Sequence, residues 1–330
     1  MRDVIPDARR LLQGNEKIAV ATVVNTKRSA PRPIGSRMLV TESGTMFGSV
    51  SGGCVESDVA LRAREVLESG RPELVPYGIT DDDAFDVGLP CGGEIEVFIA
   101  PLDTAELDRV EAALAADERL SVTTQLTGEG IGTRSYGPGE AHSDARREED
   151  TLVEHYAPPP VMLIFGAVDT AQELCRMARA VGFRTVVSDA RAKFATPERL
   201  PDAHEIIRGW PAMAYEKYAL DEATYIVCLT HDPRFDEPAI GPALRSPVPY
   251  IGALGSRRAQ DKRRERLRNA GYSDAEIDRI AGPLGLDIGA VTPAETAVSI
   301  LAEVLAVRNG RDGSRLSISK GRIHPEAVTT

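Results

Sequence analysis

Hydrophobic positions along this chain follow two different rhythms, and the change falls near its middle. From residue 17 to 102 the apolar residues come in short runs separated by turn formers. In 93–102, GEIEVFIAPL, Ile95, Val97 and Ile99 alternate with Glu94 and Glu96, which is the two-residue period of a strand with one face in solvent. Further strands are predicted over 17–27 (KIAVATVVNTK), 36–43 (SRMLVTES), 45–51 (TMFGSVS) and 73–79 (ELVPYGI). Between them VESDVALRAREVLESG, 55–70, places Val55, Val59, Ala63, Val66 and Leu67 on one helical face and ends on Gly70, a helix stop. A helix over 104–117 and strands near 120–127 and 151–156 complete an α+β half with a largely antiparallel sheet. The glycine- and charge-rich segment 128–150 reads as an exposed loop or weak hairpin, and APPP at 157–160 as a stiff linker.

From 161 onward the rhythm is apolar strand followed by helix: VMLIFGA, RTVVSDA, HEIIRG, ATYIVCLT and PYIGALG, the last running into a long basic helix. Continuous apolar strands alternating with helices imply a parallel sheet covered on both faces, so this half is expected to be an α/β, Rossmann-like doubly wound domain. Capping boxes at Ser273–Glu276 and Thr292–Glu295 announce two more helices. The expected division is 1–156, 161–310, and a polar, flexible tail over 311–330.

Composition narrows the class. With 330 residues, 42% hydrophobic and 27% charged, the chain is long enough for two ordinary cores and is that of a water-soluble globular protein. A formal net charge of −11 argues against general affinity for nucleic acid or anionic membrane. No apolar run suggests a membrane span and the N-terminal residues do not resemble a secretory leader, so a cytoplasmic location is expected. The four cysteines, 54, 91, 175 and 228, are then expected to be reduced, and none has the C-x-x-C spacing of a zinc or redox site.

Two cysteines sit against paired glycines. In GSVSGGCVE, Gly52 and Gly53 precede Cys54, with Glu56 two residues on; in LPCGGE, Cys91 is followed by Gly92 and Gly93. Glycine pairs allow positive φ or close approach of a ligand to the backbone. Cys54 also directly precedes a helix, where the dipole and free amides favour a thiolate. The two thiols therefore either face one pocket or are small buried hydrophobes beside tight turns. Glu56 and the acidic Asp81, Asp82, Asp83 and Asp86 oppose a thiolate if close and are otherwise solvated. Cys175 and Cys228 fall on apolar stripes and read as core.

In an open parallel sheet, ligands bind beyond the carboxyl ends of the strands. Those loops carry Gly166, Asp189 at about the spacing of a ribose-binding acid, His231 with Asp232, and Ser256, Arg257 and Arg258 at a helix start. The dinucleotide fingerprint is damaged, because Val168 replaces its second glycine and Asp169 adds a carboxylate, which reads as a helix cap. Arg257 and Arg258 either contact phosphate or are solvated charges in a basic run. His231 and Asp232 either transfer protons or satisfy loop backbone.

Together SAPRPIGSRMLV, GSVSGGCVE, GLPCGGEIEVFI, DARAKFATPERLPDA, LTHDPRFD, YIGALGSRR and GLDIGAVTPAETAVSILAEVLA, in this order over about 16–310, resemble the XdhC/CoxI family, accessory proteins of xanthine dehydrogenase, carbon monoxide dehydrogenase and related molybdenum hydroxylases. The resemblance implies an N-terminal XdhC/CoxI domain followed by a Rossmann-like domain. It implies binding of molybdenum cofactor (molybdopterin), its protection during sulfuration, with a cysteine desulfurase as sulfur donor, and its delivery to the hydroxylase apo-enzyme. Cys54 and Cys91 match the family's glycine-flanked cysteines and would contact the metal or relay sulfur. The departure is GAVDTA, where many members have a G-x-G-H-x-A loop. Two other functions stay open at this point: an NAD(P)-dependent oxidoreductase with His231 as acid or base, and an interaction scaffold without bound cofactor. A homo-oligomer is compatible with all three.

Overall fold

The computed structural model describes residues 2–27, 32–78 and 93–319, and these form two compact units that divide between Pro158 and Pro159.

The first unit begins with α1 (Ile5–Gln13), followed by β1 (Ile18–Lys27), β2 (Arg37–Thr41), β3 (Met46–Gly48), α2 (Glu56–Ser69), β4 (Glu73–Tyr77), β5 (Glu94–Pro101) and α3 (Thr104–Ala115). The five strands make an antiparallel sheet in the order β3-β2-β1-β5-β4. β1 is central because its residues from Ile18 to Val24 are apolar or threonine and all are buried. Its alternation serves both faces: Ala19, Ala21 and Val23 pack with Val59, Ala63 and Val66 of α2, while Ile18 and Val20 pack with Leu107 and Val110 of α3. α2 stops at Gly70, which takes the left-handed φ of 68°. α3 is capped by Asp103, whose side chain accepts from the amides of Ala105 and Glu106.

A second sheet follows, whose two inner strands are those expected near 120–127 and 151–156. β6 (Leu120–Gln125), β7 (Arg134–Pro138), β8 (Asp144–Glu148) and β9 (Thr151–Tyr156) pair antiparallel in the order β7-β6-β9-β8. β7 and β8 are its two edges, and none of their residues is fully buried. Strands held by backbone pairing to buried neighbours need no apolar period of their own, and charge on an edge discourages further pairing. Of the two readings of 128–150, loop or weak hairpin, the loop gives way: the segment carries two edge strands, each in a hairpin with its neighbour in the chain.

The second unit contains β10 (Val161–Phe165), α4 (Asp169–Ala180), β11 (Arg184–Ser188), β12 (Glu205–Ile207), α5 (Pro211–Tyr215), β13 (Thr224–Cys228), α6 (Pro233–Leu244), β14 (Tyr250–Ala253), α7 (Arg257–Asn269), α8 (Asp274–Ile277), β15 (Ile280–Ala281) and α9 (Pro293–Arg308). All six strands are parallel, in the order β12-β11-β10-β13-β14-β15. The chain leaves β10 toward one edge and returns to the other side at β13, so the two strands flank the switch point where such sheets bind ligands. α4 and α9 cover one face through Leu174, Ala178, Ile300 and Val304; α6 and α7 cover the other through Phe235, Ile240, Leu244 and Leu267. Cys175 and Cys228 are core residues with no measurable exposure, as their apolar settings predicted. Both capping boxes form as expected. Residues 311–319 are exposed and carry no helix or strand, and the rest of the expected tail lies outside the described residues. No described helix is long and apolar enough to cross a membrane.

Candidate functional site

The turn between β3 and α2 is built by glycine and closed by one carboxylate. Gly48 has φ +83°, and a side chain there would collide with the Arg37 carbonyl oxygen. Gly52 (φ +79°) and Gly53 (φ +115°) are also left-handed, yet a Cβ at either would meet nothing within 4 Å. Those two glycines answer a demand of conformation, and they leave an open backbone surface beside Cys54. Glu56, in the first turn of α2, folds back under this surface. Its Oε1 accepts from Ser49 Oγ (2.7 Å), Val50 N (3.2 Å) and Ser51 N (2.8 Å), and its Oε2 from Ser51 Oγ (2.5 Å) and Gly53 N (2.8 Å). The remaining amides go to the two serines: Gly52 N to Ser49 Oγ (2.8 Å), and Cys54 N and Val55 N to Ser51 Oγ (2.9 and 3.0 Å). Burial pushes the Glu56 carboxyl up, but bonds from Ser51 and Ser49 outweigh it and hold the group down at about 2.

Two expectations change here. The amides of residues 50 to 55, counted on to face an anion or a thiolate, are already engaged by Glu56, Ser49 and Ser51. Glu56 itself is not a solvated acid or an outward-facing ligand; it is the brace of the turn. What the turn presents is the side chain of Cys54, half-buried against the α2 core and in no disulfide, beside the exposed Gly52 and Gly53. Cys91 and Gly92, the other half of the expected pair, lie outside the described residues, as do Asp81, Asp82, Asp83 and Asp86. Gly93 is buried at the entry to β5.

In the second unit the strand-end residues mostly serve one another. Gly166 has φ +114°, and a Cβ there would sit 2.7 Å from Thr230 Cγ2, so β10 and β13 approach closely at the switch point. Asp189 is buried and accepts from Ala167 N (2.8 Å), Arg191 N (2.8 Å), Arg191 Nε (3.0 Å) and Arg191 Nη2 (2.7 Å). Burial raises its pKa, but Arg191 and the two amides outweigh that and hold the carboxyl below its usual range. A carboxylate so occupied has no lone pair ready for a ribose, which corrects the expected role. Asp169 does not cap α4 either: the N-cap is Val168, and Asp169 pairs with Arg199 at 2.8 Å. Asp232 caps α6 through Arg234 N (3.0 Å) and grips the Arg234 guanidinium (2.7 Å), while His231 beside it is exposed. Ser256 caps α7, and Arg257 and Arg258 are exposed in its first turn. The NAD(P) reading thus loses its ribose acid as well as its second glycine.

Sequence reasoning missed a buried polar cluster beneath this rim. Arg263 donates to Asp236 (3.0 Å), to the Leu254 carbonyl (3.1 Å) and to Gln260, and Thr230 donates to Asp236. Gln260 in turn donates to the Ala253 carbonyl at 3.0 Å, so the cluster ties the ends of β13 and β14 to α6 and α7. Burial raises the Asp236 pKa despite its bonds to Thr230 and Arg263. The available signal was Gln260, Arg263 and Leu267 at helical spacing on one face, concealed within a run of solvated charges.

Among the described residues one group has the composition of a metal site: Glu140, Asp144 and His155, whose ligand atoms lie within 4.8 Å of one another. Part of its donor set is already engaged. Arg146 donates to Glu140 at 3.1 Å and lies 3.6 Å from Asp144, and His155 Nδ1 accepts from the Glu140 amide at 3.3 Å, which leaves the ring proton on Nε2. The trio reads as an ion-pair cluster closing the β7–β8 connection.

Comparison with known proteins bears on the family and the fold. Residues 11–78 match the XdhC and CoxI family, and residues 162–304 match the XdhC Rossmann domain. The chain is 27% identical over 321 residues to a probable xanthine dehydrogenase subunit from Bacillus subtilis, covering 90% of this chain and 95% of that protein. It is 28% identical over 319 residues to the molybdenum cofactor insertion chaperone PaoD of Escherichia coli, covering 93% and 88%. A crystal structure described as a xanthine dehydrogenase from Bacillus halodurans superposes with a TM-score of 0.73 at 28% identity, covering 96% of this chain and 98% of that one.

Proposed function

Because the chain belongs to the XdhC and CoxI family, we propose that it is an accessory protein in the maturation of a molybdenum hydroxylase, one that holds molybdenum cofactor and passes it to the apo-enzyme. The observation that carries this reading is the braced turn: a half-exposed thiol, Cys54, set beside two open glycines and fixed from below by Glu56. The donor chemistry fits such a cargo. A thiol suits a soft metal centre, and the carboxylate two residues away is withdrawn from competition by five hydrogen bonds. Exposed glycine backbone offers a flat surface to a planar pterin.

In this role the chain's residues bind and shield; the cofactor supplies the redox chemistry once it is in the hydroxylase. Ser49, Ser51 and Glu56 keep the turn rigid, so little ordering remains to oppose binding. A cysteine desulfurase completes the proposed set of partners, and the cytoplasm is the proposed compartment. The test is retention of cofactor by the full chain on a desalting column. Wild type retains it, and Cys54→Ala and Cys91→Ala each lower retention. Equal retention by wild type and the double variant removes the thiols from the proposal.

A further inference from the structure

Glu106, in the first turn of α3, is 2% exposed, and its two carboxylate oxygens are treated unequally. Oε2 sits 2.6 Å from Arg134 Nε. Oε1 is 3.6 Å from Arg37 Nη2, beyond hydrogen-bond reach, and has no hydrogen-bond partner among the described residues. A buried acceptor in that condition carries its full desolvation cost unless something reaches it.

Glu106 borders a cavity of about 20 Å³ inside the first unit. The rest of the polar wall comes from both sheets: Thr22 of β1, Arg37 of β2, Thr124 of β6, Arg134 of β7 and Glu154 of β9. Size and charge together select what such a space takes. A void of ~10–15 Å³ already admits one water, so this one has room for a single guest of that size. Arg37 and Arg134 carry two positive charges and Glu106 and Glu154 two negative ones, so the buried set is neutral, and an ion added to it would be an unpaired buried charge. Asp103 also borders the cavity, but its side chain is 34% exposed and it already caps α3. A neutral guest that both donates and accepts fits the wall.

We propose that this cavity binds one long-lived water molecule, which donates to Glu106 Oε1 and accepts from the Thr22 hydroxyl. Thr22 Oγ1 accepts from Arg37 Nε at 3.3 Å, and a threonine hydroxyl that accepts keeps its proton to give. Thr124 and Glu154 stand on the wall to take the second proton of the water, which gives it the two to four partners that a buried water needs. The water ties β1 and α3 to the second sheet, and the site is independent of the cofactor role proposed for the Cys54 turn.

A crystal structure of the full chain that resolves solvent reads the site directly. One peak is expected within hydrogen-bond distance of Glu106 Oε1, and an empty cavity overturns the proposal. Melting in sodium chloride and in tetramethylammonium chloride of equal ionic strength should give one midpoint; a midpoint raised by sodium alone makes the guest a cation and overturns it as well. In solution, magnetic relaxation dispersion of the water nuclei counts the molecules that a protein retains. Ala100, 3% exposed, lines the same cavity, so Ala100→Val, which fills it, should lower that count by one, while Ala100→Gly should not lower it. Circular dichroism checks that both variants fold. An unchanged count in folded Ala100→Val would place the retained waters elsewhere and deny the site.

Discussion

Arg37 on β2 donates to Glu154 on β9 at 2.7 Å, across 117 residues of chain, with 5% and 4% of the two side chains exposed. Arg37 also donates to Tyr156 (3.1 Å) and Thr22 (3.3 Å), and Glu106 lies 3.6 Å away, itself 2.6 Å from Arg134. This is the polar joint between the two sheets of the first unit. A buried charge left without its partner is costly, whereas removing both can be nearly neutral. Glu154→Leu or Arg37→Met alone should therefore cost about 3–5 kcal/mol in urea unfolding, and the double variant should recover most of it. Additive losses in the double variant would show that the pair is not coupled.

The Glu56 brace makes a pH-dependent prediction. Its folded pKa of about 2 lies below the ordinary value of 4.5, so its contribution is fully present above that ordinary value and is lost as pH falls toward 2. Amide exchange at Ser51 and Gly53, corrected for intrinsic rates, should stay protected from pH 7 down to about 5. In Glu56→Gln the same amides should lose protection already at pH 7, with a stability loss of about 1–3 kcal/mol. Unchanged protection in the variant would deny the brace.

Much of this was legible beforehand, for identifiable reasons. Strands β1, β10, β11, β13 and β14 bury most of their residues, so apolar runs announced them. Capping boxes at Ser273 and Thr292 are local in sequence and were read as such. β7 and β8 escaped because each pairs along one edge only, with its neighbour in the chain, and buries none of its residues fully, so neither carries an apolar period. The site was legible as a place, in its glycines and Cys54, but not in its wiring. Whether Glu56 or Asp189 faces a ligand or folds inward depends on which amide or guanidinium reaches it first. No spacing rule records that.

The cysteines should separate by reactivity. Burial pushes the Cys175 thiol up to about 11 despite a bond from Thr185, and raises Cys228 further still, while Cys54 is half-exposed. Only the thiolate is nucleophilic, so at pH 8 iodoacetamide should label Cys54 in the native chain at least ~100-fold faster than Cys175 or Cys228. Peptide mapping after brief labelling checks this. Both slow thiols should become reactive in denaturant, and native labelling of Cys228 would contradict its placement in the core.

Asp189 should matter to folding and not to NADH. Its carboxylate satisfies the buried Ala167 amide and three donors of Arg191, so Asp189→Ala leaves an unpaired amide inside the rim. An orphaned buried donor costs about 1–3 kcal/mol, and losing the charge-assisted bonds to Arg191 adds to it. The variant should melt measurably lower than wild type. Because the folded pKa is depressed, this contribution is present above the ordinary aspartate range and fades only as pH falls below it; the melting difference should be constant from pH 6 to 8 and narrow toward pH 3. Calorimetric titration of wild type with NADH should show no micromolar binding, since the oxygens that would take a ribose are filled. Micromolar NADH affinity, abolished in Asp189→Ala, would mean that Arg191 yields its partner to the ligand and would restore the acid to a binding role.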